Sequence, residues 1–422
     1  AMKYFCEKTP EYVVACAGAY LRITDINDDG TLNWNDRKSV NDSDAYKYML
    51  SEGDIVFART GNSTGRNYYY DSRDGEFAFA GFLIRFSLDD KKVNPRYVKY
   101  YAQSKAYWDW IASFNTGSTR GNINAKTYAQ MPVPLPDRST QDSIVMLCDS
   151  ISNKIRLNTK LNGYLLELMN VQYQHSFCCN KLTLGSIYDI ADVVYGAAFK
   201  SALFNEEKVG YPLIRIRDLS TFSPQYWTNE AHPKRVFVHP GDVLAGMDAE
   251  FTPCLWQGEM AVLNQRVCLF EPAANSGVSR SYLLMALNPL LAFIQNYASG
   301  TTVAHMGKGD LEALNVPIPA RGDLERFNTI AEPLREQIVQ NSIQNRKLAA
   351  LRDALLPKLM SGEIDVSRID LTQLNSHLAE TLRPFGCHIP AIQKRGSPHS
   401  CEPPLAPGYR AVMPTGTAPL LP

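Results

Sequence analysis

The chain has no excess of either charge: Lys and Arg total 43, and so do Asp and Glu. A free-standing nucleic-acid binder is usually basic, so neutrality argues against one, except where partners supply the positive charge. No apolar run approaches the roughly 20 residues that span a bilayer, and the start shows no secretory leader pattern. The nine cysteines include no CxxC pair, and Cys178 and Cys179 are adjacent. They read as reduced thiols of a cytosolic protein, not as a zinc site or a disulfide framework. Also missing are a phosphate loop, a GxGxxG after a strand, HExxH and GxSxG. An amino-methyltransferase needs Asn/Asp-Pro-Pro-aromatic, and Asn94-Pro95-Arg96 and Asn288-Pro289-Leu290 both fail it. The seven histidines are scattered, and His232, His239 and His305 read as solvated or hydrogen-bonded side chains on loops or strand ends. We expect no catalytic centre and no metal site in this chain.

What is present is a pair of matched heptad seams. Ile144, Cys148, Ile151, Ile155, Asn158, Asn162, Leu165, Met169 and Gln172 alternate steps of four and three, which places them on one helix face. Phe327, Ala331, Leu334, Ile338, Asn341, Asn345, Leu348, Arg352 and Leu355 repeat those steps 183 residues on. Both seams carry an Asn pair at the same two points. A buried seam Asn lowers stability but specifies register and partner. The two helices are expected to pack on each other, with Asn158, Asn162, Asn341 and Asn345 setting the alignment.

The seams close two similar globular stretches, and 422 residues are too many for one core. Leu21-Arg22-Ile23-Thr24-Asp25-Ile26 is echoed by Ile214-Arg215-Ile216-Arg217-Asp218-Leu219, and Gly53-Asp54-Ile55-Val56-Phe57 by Gly241-Asp242-Val243-Leu244-Ala245. Residues 20–26 and 77–86 read as strands, and residues 94–114 as one helix capped by Asn94 with Pro95 at its first position. Val133-Pro134-Leu135-Pro136 and Val316-Pro317-Ile318-Pro319 lead into the long helices. The fold class is α/β (α+β), an internal repeat with these divisions: a domain over 1–137, a long helix over 138–179, a second domain over 180–320, a second long helix over 321–363, and a Pro-rich tail over 364–422 expected to be largely disordered. The second domain opens with Leu182-Thr183-Leu184-Gly185-Ser186-Ile187. Aligning Arg22 with Arg215 puts residue 1 opposite Val194, so the first domain shows no counterpart of that opening.

Two polar loops in each domain are rich in hydrogen-bond donors. Arg59, Thr60, Ser63, Thr64 and Arg66 lie in one loop of the first domain, and Ser118, Thr119, Arg120, Asn122, Asn124 and Lys126 in the other. The counterparts in the second domain are Lys200, Met247, Asp248, Thr301, Thr302, His305 and Lys308. Such side chains suit phosphates and base edges. They suit ordinary turns too, where Gly and Ser serve backbone geometry, and composition alone favours the turn. Tyr68-Tyr69-Tyr70 reads equally as a base-stacking run or as a half-buried strand.

The order of these features resembles the specificity (S) subunit of type I restriction-modification systems. The resemblance rests on the Gly-Asp-Ile/Val strand followed by Arg59-Thr60-Gly61, and on the Gly-Ser-Thr loop before Asn122-Ile123-Asn124. It rests also on the Val-Pro-Leu/Ile-Pro exits and the closing Leu355-Leu356-Pro357-Lys358-Leu359-Met360-Ser361-Gly362-Glu363-Ile364. It implies two target recognition domains, each reading half of a split double-stranded DNA site, and two long helices packed as an antiparallel coiled coil that set the spacer. It implies docking of two modification (M) subunits that carry S-adenosylmethionine, and of restriction (R) subunits that use ATP and Mg. On that reading the chain is a non-catalytic cytoplasmic protein with no cofactor of its own. The rival expectations are a coiled-coil scaffold with two protein-binding domains, or a fused methylase or nuclease.

Overall fold

In a computed structural model the described residues are 4–5, 19–33, 37–42, 44–114, 122–177, 183–298 and 305–366. They form two compact units. One runs to Arg156 and resumes at Arg346, and the other is Leu157–Asn345. The boundary falls inside both long helices, so each unit owns half of each rod.

In the first unit, β1 (Tyr4–Phe5), β2 (Ala19–Leu21), β3 (Lys38–Val40) and β6 (Phe77–Phe79) form one sheet in the order β1-β3-β2-β6. β4 (Asp54–Ala58), β5 (Asn67–Tyr69) and β7 (Leu83–Ser87) form another in the order β5-β4-β7. The expected strand over 20–26 stops at Leu21. The Asp25 carboxylate accepts from the Arg22 amide and guanidinium and closes a 3-10 turn. The expected strand over 77–86 divides into β6 and β7, because the Leu83 amide donates to the Ala80 carbonyl around Gly81. Tyr68 and Tyr70 are buried and Tyr69 is half-buried, so this run is a strand and not an exposed stacking surface. The expected helix over 94–114 is two, α1 (Pro95–Tyr101) and α2 (Lys105–Ala112). Asn94 caps the first as expected, but Ser104 caps the second, and the competing cap breaks the run.

Next come α3 (Ala125–Tyr128) and α4 (Arg138–Phe177), the latter 40 residues long. Arg96 and Tyr100 on α1 both donate to Asp149 on α4, at 2.8 and 2.6 Å. Arg156 on α4 reaches Asp71 and Asp74. Hydrogen bonds from Arg73 hold the Asp71 carboxyl down to about 2, so its ties persist above the ordinary carboxyl range and weaken only as pH falls towards 2.

The second unit repeats this plan with β8 (Thr183–Gly185), β9 (Ala191–Tyr195), β10 (Phe204–Asn205), β11 (Tyr211–Ile214), β12 (Trp227–Thr228) and β13 (Phe237–Val238). Then follow β14 (Val243–Gly246), β15 (Cys254–Leu255), β16 (Ala261–Leu263), β17 (Val267–Pro272), α5 (Arg280–Ala298), α6 (Lys308–Glu312), β18 (Val316–Ile318) and α7 (Arg321–Met360). β11 pairs with β16 in parallel, as β2 does with β6. The β15-β14-β17-β9 sheet matches β5-β4-β7 with one strand more, and β18 pairs with β8. Among the described residues of the first unit, no strand covers the outer edge of β7 or pairs with residues 133–135.

Every seam position is buried or half-buried. In the first unit Ile144, Cys148 and Ile151 cluster with Leu348, Leu355, Leu356 and Leu359. In the second, Met169 and Tyr173 cluster with Phe327, Ala331 and Ile338. At the end of that seam, still within the second unit, sits an amide layer. Asn158 Nδ2 donates to Gln344 Oε1 and Asn345 Oδ1 at 2.7 and 2.9 Å, and Asn341 Nδ2 donates to Asn162 Oδ1 at 2.7 Å. Asn162 Nδ2 in turn donates to Ser342 Oγ at 3.1 Å and to the Ile338 carbonyl at 3.2 Å. As α4 advances from 158 to 162 its partners retreat from 345 to 341, so the helices run antiparallel, as the family resemblance implied.

Asn162→Ala leaves the Asn341 amide buried without its acceptor. We expect a loss of about 1–3 kcal/mol, seen in thermal unfolding as a fall of about 2–4 °C per kcal/mol. Asn162→Leu combined with Asn341→Leu should be far less harmful than the sum of the single changes. Strict additivity would mean that the two amides do not act as a pair.

Candidate nucleic-acid interface

The two polar loops of the first unit are held together by the backbone. β4 ends at Ala58, and the Arg59 amide donates to the Phe82 carbonyl at 3.0 Å. The Arg59 carbonyl accepts from the Ile123 amide at 2.9 Å, and Thr60 bridges antiparallel to Asn122. The loop then folds back: the Gly65 amide donates to the Ala58 carbonyl, and the Ala58 amide to the Arg66 carbonyl. From beneath, the Tyr128 hydroxyl donates to the Ala58 carbonyl at 2.8 Å and the Tyr107 hydroxyl to the Gly65 carbonyl at 2.5 Å. Gly65 has φ +93°, and a Cβ there would lie 2.8 Å from Ile111, so only glycine passes this close to α2.

The second unit builds the same frame from different residues. The Met247 amide donates to the Arg266 carbonyl at 3.0 Å, its carbonyl accepts from the Met306 amide at 2.8 Å, and Asp248 bridges antiparallel to His305. Short helices follow both bridges, α3 capped by Asn124 and α6 by Gly307, again 183 residues apart. The bridges and the short helices that follow them thus recur at matching places in the two units.

The individual side chains divide. Thr60 and Asn122 meet at the bridge, as do Asp248 and His305, where His305 Nδ1 lies 2.6 Å from Asp248 Oδ1. Ser63 and Met247 are buried and face the core. Arg59 is half-buried, and Thr64 closes its own turn on the Gly61 carbonyl. Arg66 is engaged by Asp28 at 2.7 Å and by the Ile26 carbonyl. Asn124 caps α3, Lys126 is exposed on it, and Lys308 on α6 pairs with Glu312. Lys200 is exposed beside a turn outside this frame. Ser118, Thr119, Arg120, Thr301 and Thr302 lie outside the described residues.

Two exposed side chains on the frame lay outside the sequence expectations, Phe82 and Arg266. Both sit in short strand-linking turns with no motif; only the hydrogen bonds from Arg59 and Met247 reveal that they share a position. Burial pushes the thiols of Cys148, Cys254 and Cys268 up to about 12. Among the described residues no cluster of His, Cys, Asp or Glu could hold a metal, and no helix is long and apolar enough to cross a membrane.

The chain belongs to the family described as the type I restriction modification DNA specificity domain, whose model matches twice, over residues 16–166 and 181–351. It is 31% identical to the EcoBI specificity subunit of Escherichia coli over 186 residues, which is 42% of this chain and 38% of that protein. It is 26% identical to the HindI specificity subunit of Haemophilus influenzae, over 75% of this chain and 88% of that protein. A crystal structure of a type I restriction-modification S subunit from M. genitalium is 15% identical, with a TM-score of 0.47, over 85% of this chain and 92% of that one.

Tyr128→Phe removes the donor beneath Ala58. We expect a stability loss of about 1 kcal/mol and faster hydrogen exchange at the Ile123 amide. Unchanged exchange there would show that the hydroxyl does not brace the frame.

Proposed function

We propose that the chain is the DNA sequence-specificity subunit of a type I restriction-modification complex. Each unit reads one half of a bipartite double-stranded target. The helix pair sets the spacer and docks two methyltransferase subunits, and restriction subunits join them. S-adenosylmethionine, ATP and Mg belong to those partners, and this chain is a non-catalytic cytoplasmic reader. The observation that carries the proposal is the frame built twice, once in each unit, beside two unbroken helices of 40 residues. Each helix is about 60 Å long at 1.5 Å per residue, enough to reach between successive major-groove segments on one DNA face, about 34 Å apart.

Docking of partner helices is supported by a second apolar stripe on α4. Leu157, Leu161, Tyr164, Leu168 and Val171 are exposed and follow steps of four and three. An exposed apolar stripe at heptad spacing suits another helix.

Coexpression of the chain with its methyltransferase subunits, followed by single-molecule mapping of methylated adenines, should return a two-part motif with a constant gap. A continuous motif, or none, would contradict the proposal. Matched seven-residue insertions in α4 and α7 keep the seam and add about 10 Å. They should lengthen the gap by about three base pairs with both half-sites unchanged. An unaltered gap would remove the helices from the measuring role.

A further inference from the structure

The two frames share their backbone hydrogen bonds and differ in the side chains they present. Three positions correspond through those bonds. In the first unit they hold Thr60, Phe82 and Asn122, and in the second Asp248, Arg266 and His305. One backbone carrying two different side-chain sets is what two readers of different half-sites require.

We propose that these six residues are the specificity determinants of the two half-sites, with Phe82 and Arg266 contacting base edges and Asp248 acting as a positioning residue. The inference rests on the DNA-reading function proposed above. Phe82 stands 61% exposed on a turn after β6. It carries no charge for a phosphate, but its ring offers apolar contact to a thymine methyl or a base step.

The second set works differently. Asp248 is 27% exposed and holds two donors at once: His305 at 2.6 Å, and Arg266 through Nε at 3.4 Å. The side chains of Arg266 and His305 remain 53% and 49% exposed, so their outer edges are open. A carboxylate paired with the Arg266 guanidinium cancels much of the charge that would attract phosphate. What it leaves is direction. The planar guanidinium is held in one orientation, which matters for a bidentate contact to guanine and little for a phosphate contact. The Asp248–His305 bridge also joins the two loops, so both donors are referred to the same backbone frame.

The test is adenine-methylation mapping of full-length Phe82→Ala, Arg266→Ala, Arg266→Lys, Asp248→Asn and Asp248→Glu chains, each with the methyltransferase subunits. Phe82→Ala should widen the accepted bases at one or two adjacent positions of one half-site, by about tenfold. The other half-site and the gap should be intact. Arg266→Ala should do the same in the opposite half-site, and Arg266→Lys should not restore it. Asp248→Asn should relax the same positions as Arg266→Ala, and Asp248→Glu should recover part of the preference, a pattern that mere support of the fold would not produce. Because phosphate contacts are not involved, the salt slope of DNA binding should stay unchanged. An identical motif in every variant overturns the inference, and so does relaxation of both half-sites by one variant or loss of all methylation. A wild-type chain without any bipartite motif would instead refute the parent function, and this inference with it.

Discussion

The structure depends on a polar layer inside an apolar seam. Asn158, Asn162, Asn341 and Asn345 are buried or half-buried where Leu or Ile would pack more tightly. Apolar residues alone would leave the helix pair several registers of similar energy, because one heptad of leucine and isoleucine resembles the next. Amides are satisfied in only one alignment, and a buried amide without its partner costs about 1–3 kcal/mol. The layer thus exchanges some stability for a single register. That register decides which residues of α4 and α7 face the cores built around them, including Tyr173 and Phe327 in one unit and Ile151 and Leu356 in the other.

Upon that seam the chain places one architecture twice and varies it where variation is harmless to folding. The bonds that shape each frame run between main-chain groups, from Arg59 to Phe82 and Ile123, and from Met247 to Arg266 and Met306. Main-chain bonds do not depend on side-chain identity. The exposed positions can therefore exchange Thr for Asp, Phe for Arg and Asn for His while the core stays intact. The aromatic supports are less free. Tyr107 and Tyr128 fill buried space and each satisfies a loop carbonyl, which ties the first unit's loop to its core.

The family model matches two stretches, residues 16–166 and 181–351, each taking in a globular stretch and part of the long helix that follows it. The described residues of the two units differ in the strands they show. β8 and β9 extend the second unit, while the described part of the first has no equivalents of them. Phe86 is consequently half-buried, whereas Phe270, in the same register on β17, is fully buried under β9.

Heptad spacing, the 183-residue displacement and the proline exits are periodic properties of the chain, and they survive any packing. They are why both long helices, their pairing and the amide layer were legible without coordinates, while the antiparallel sense came from the family resemblance. The breaks at Ser104 and Gly81 were not legible, because a cap or a turn wins only by a few tenths of a kcal/mol to about 1 kcal/mol over continuing the element. Nor did the loop composition separate Ser63 and Met247, which face inward, from Asn122 and His305, which face out. Phe82 and Arg266 belong to no pattern at all. Only long-range backbone hydrogen bonds, formed between residues distant along the chain, set them at corresponding places.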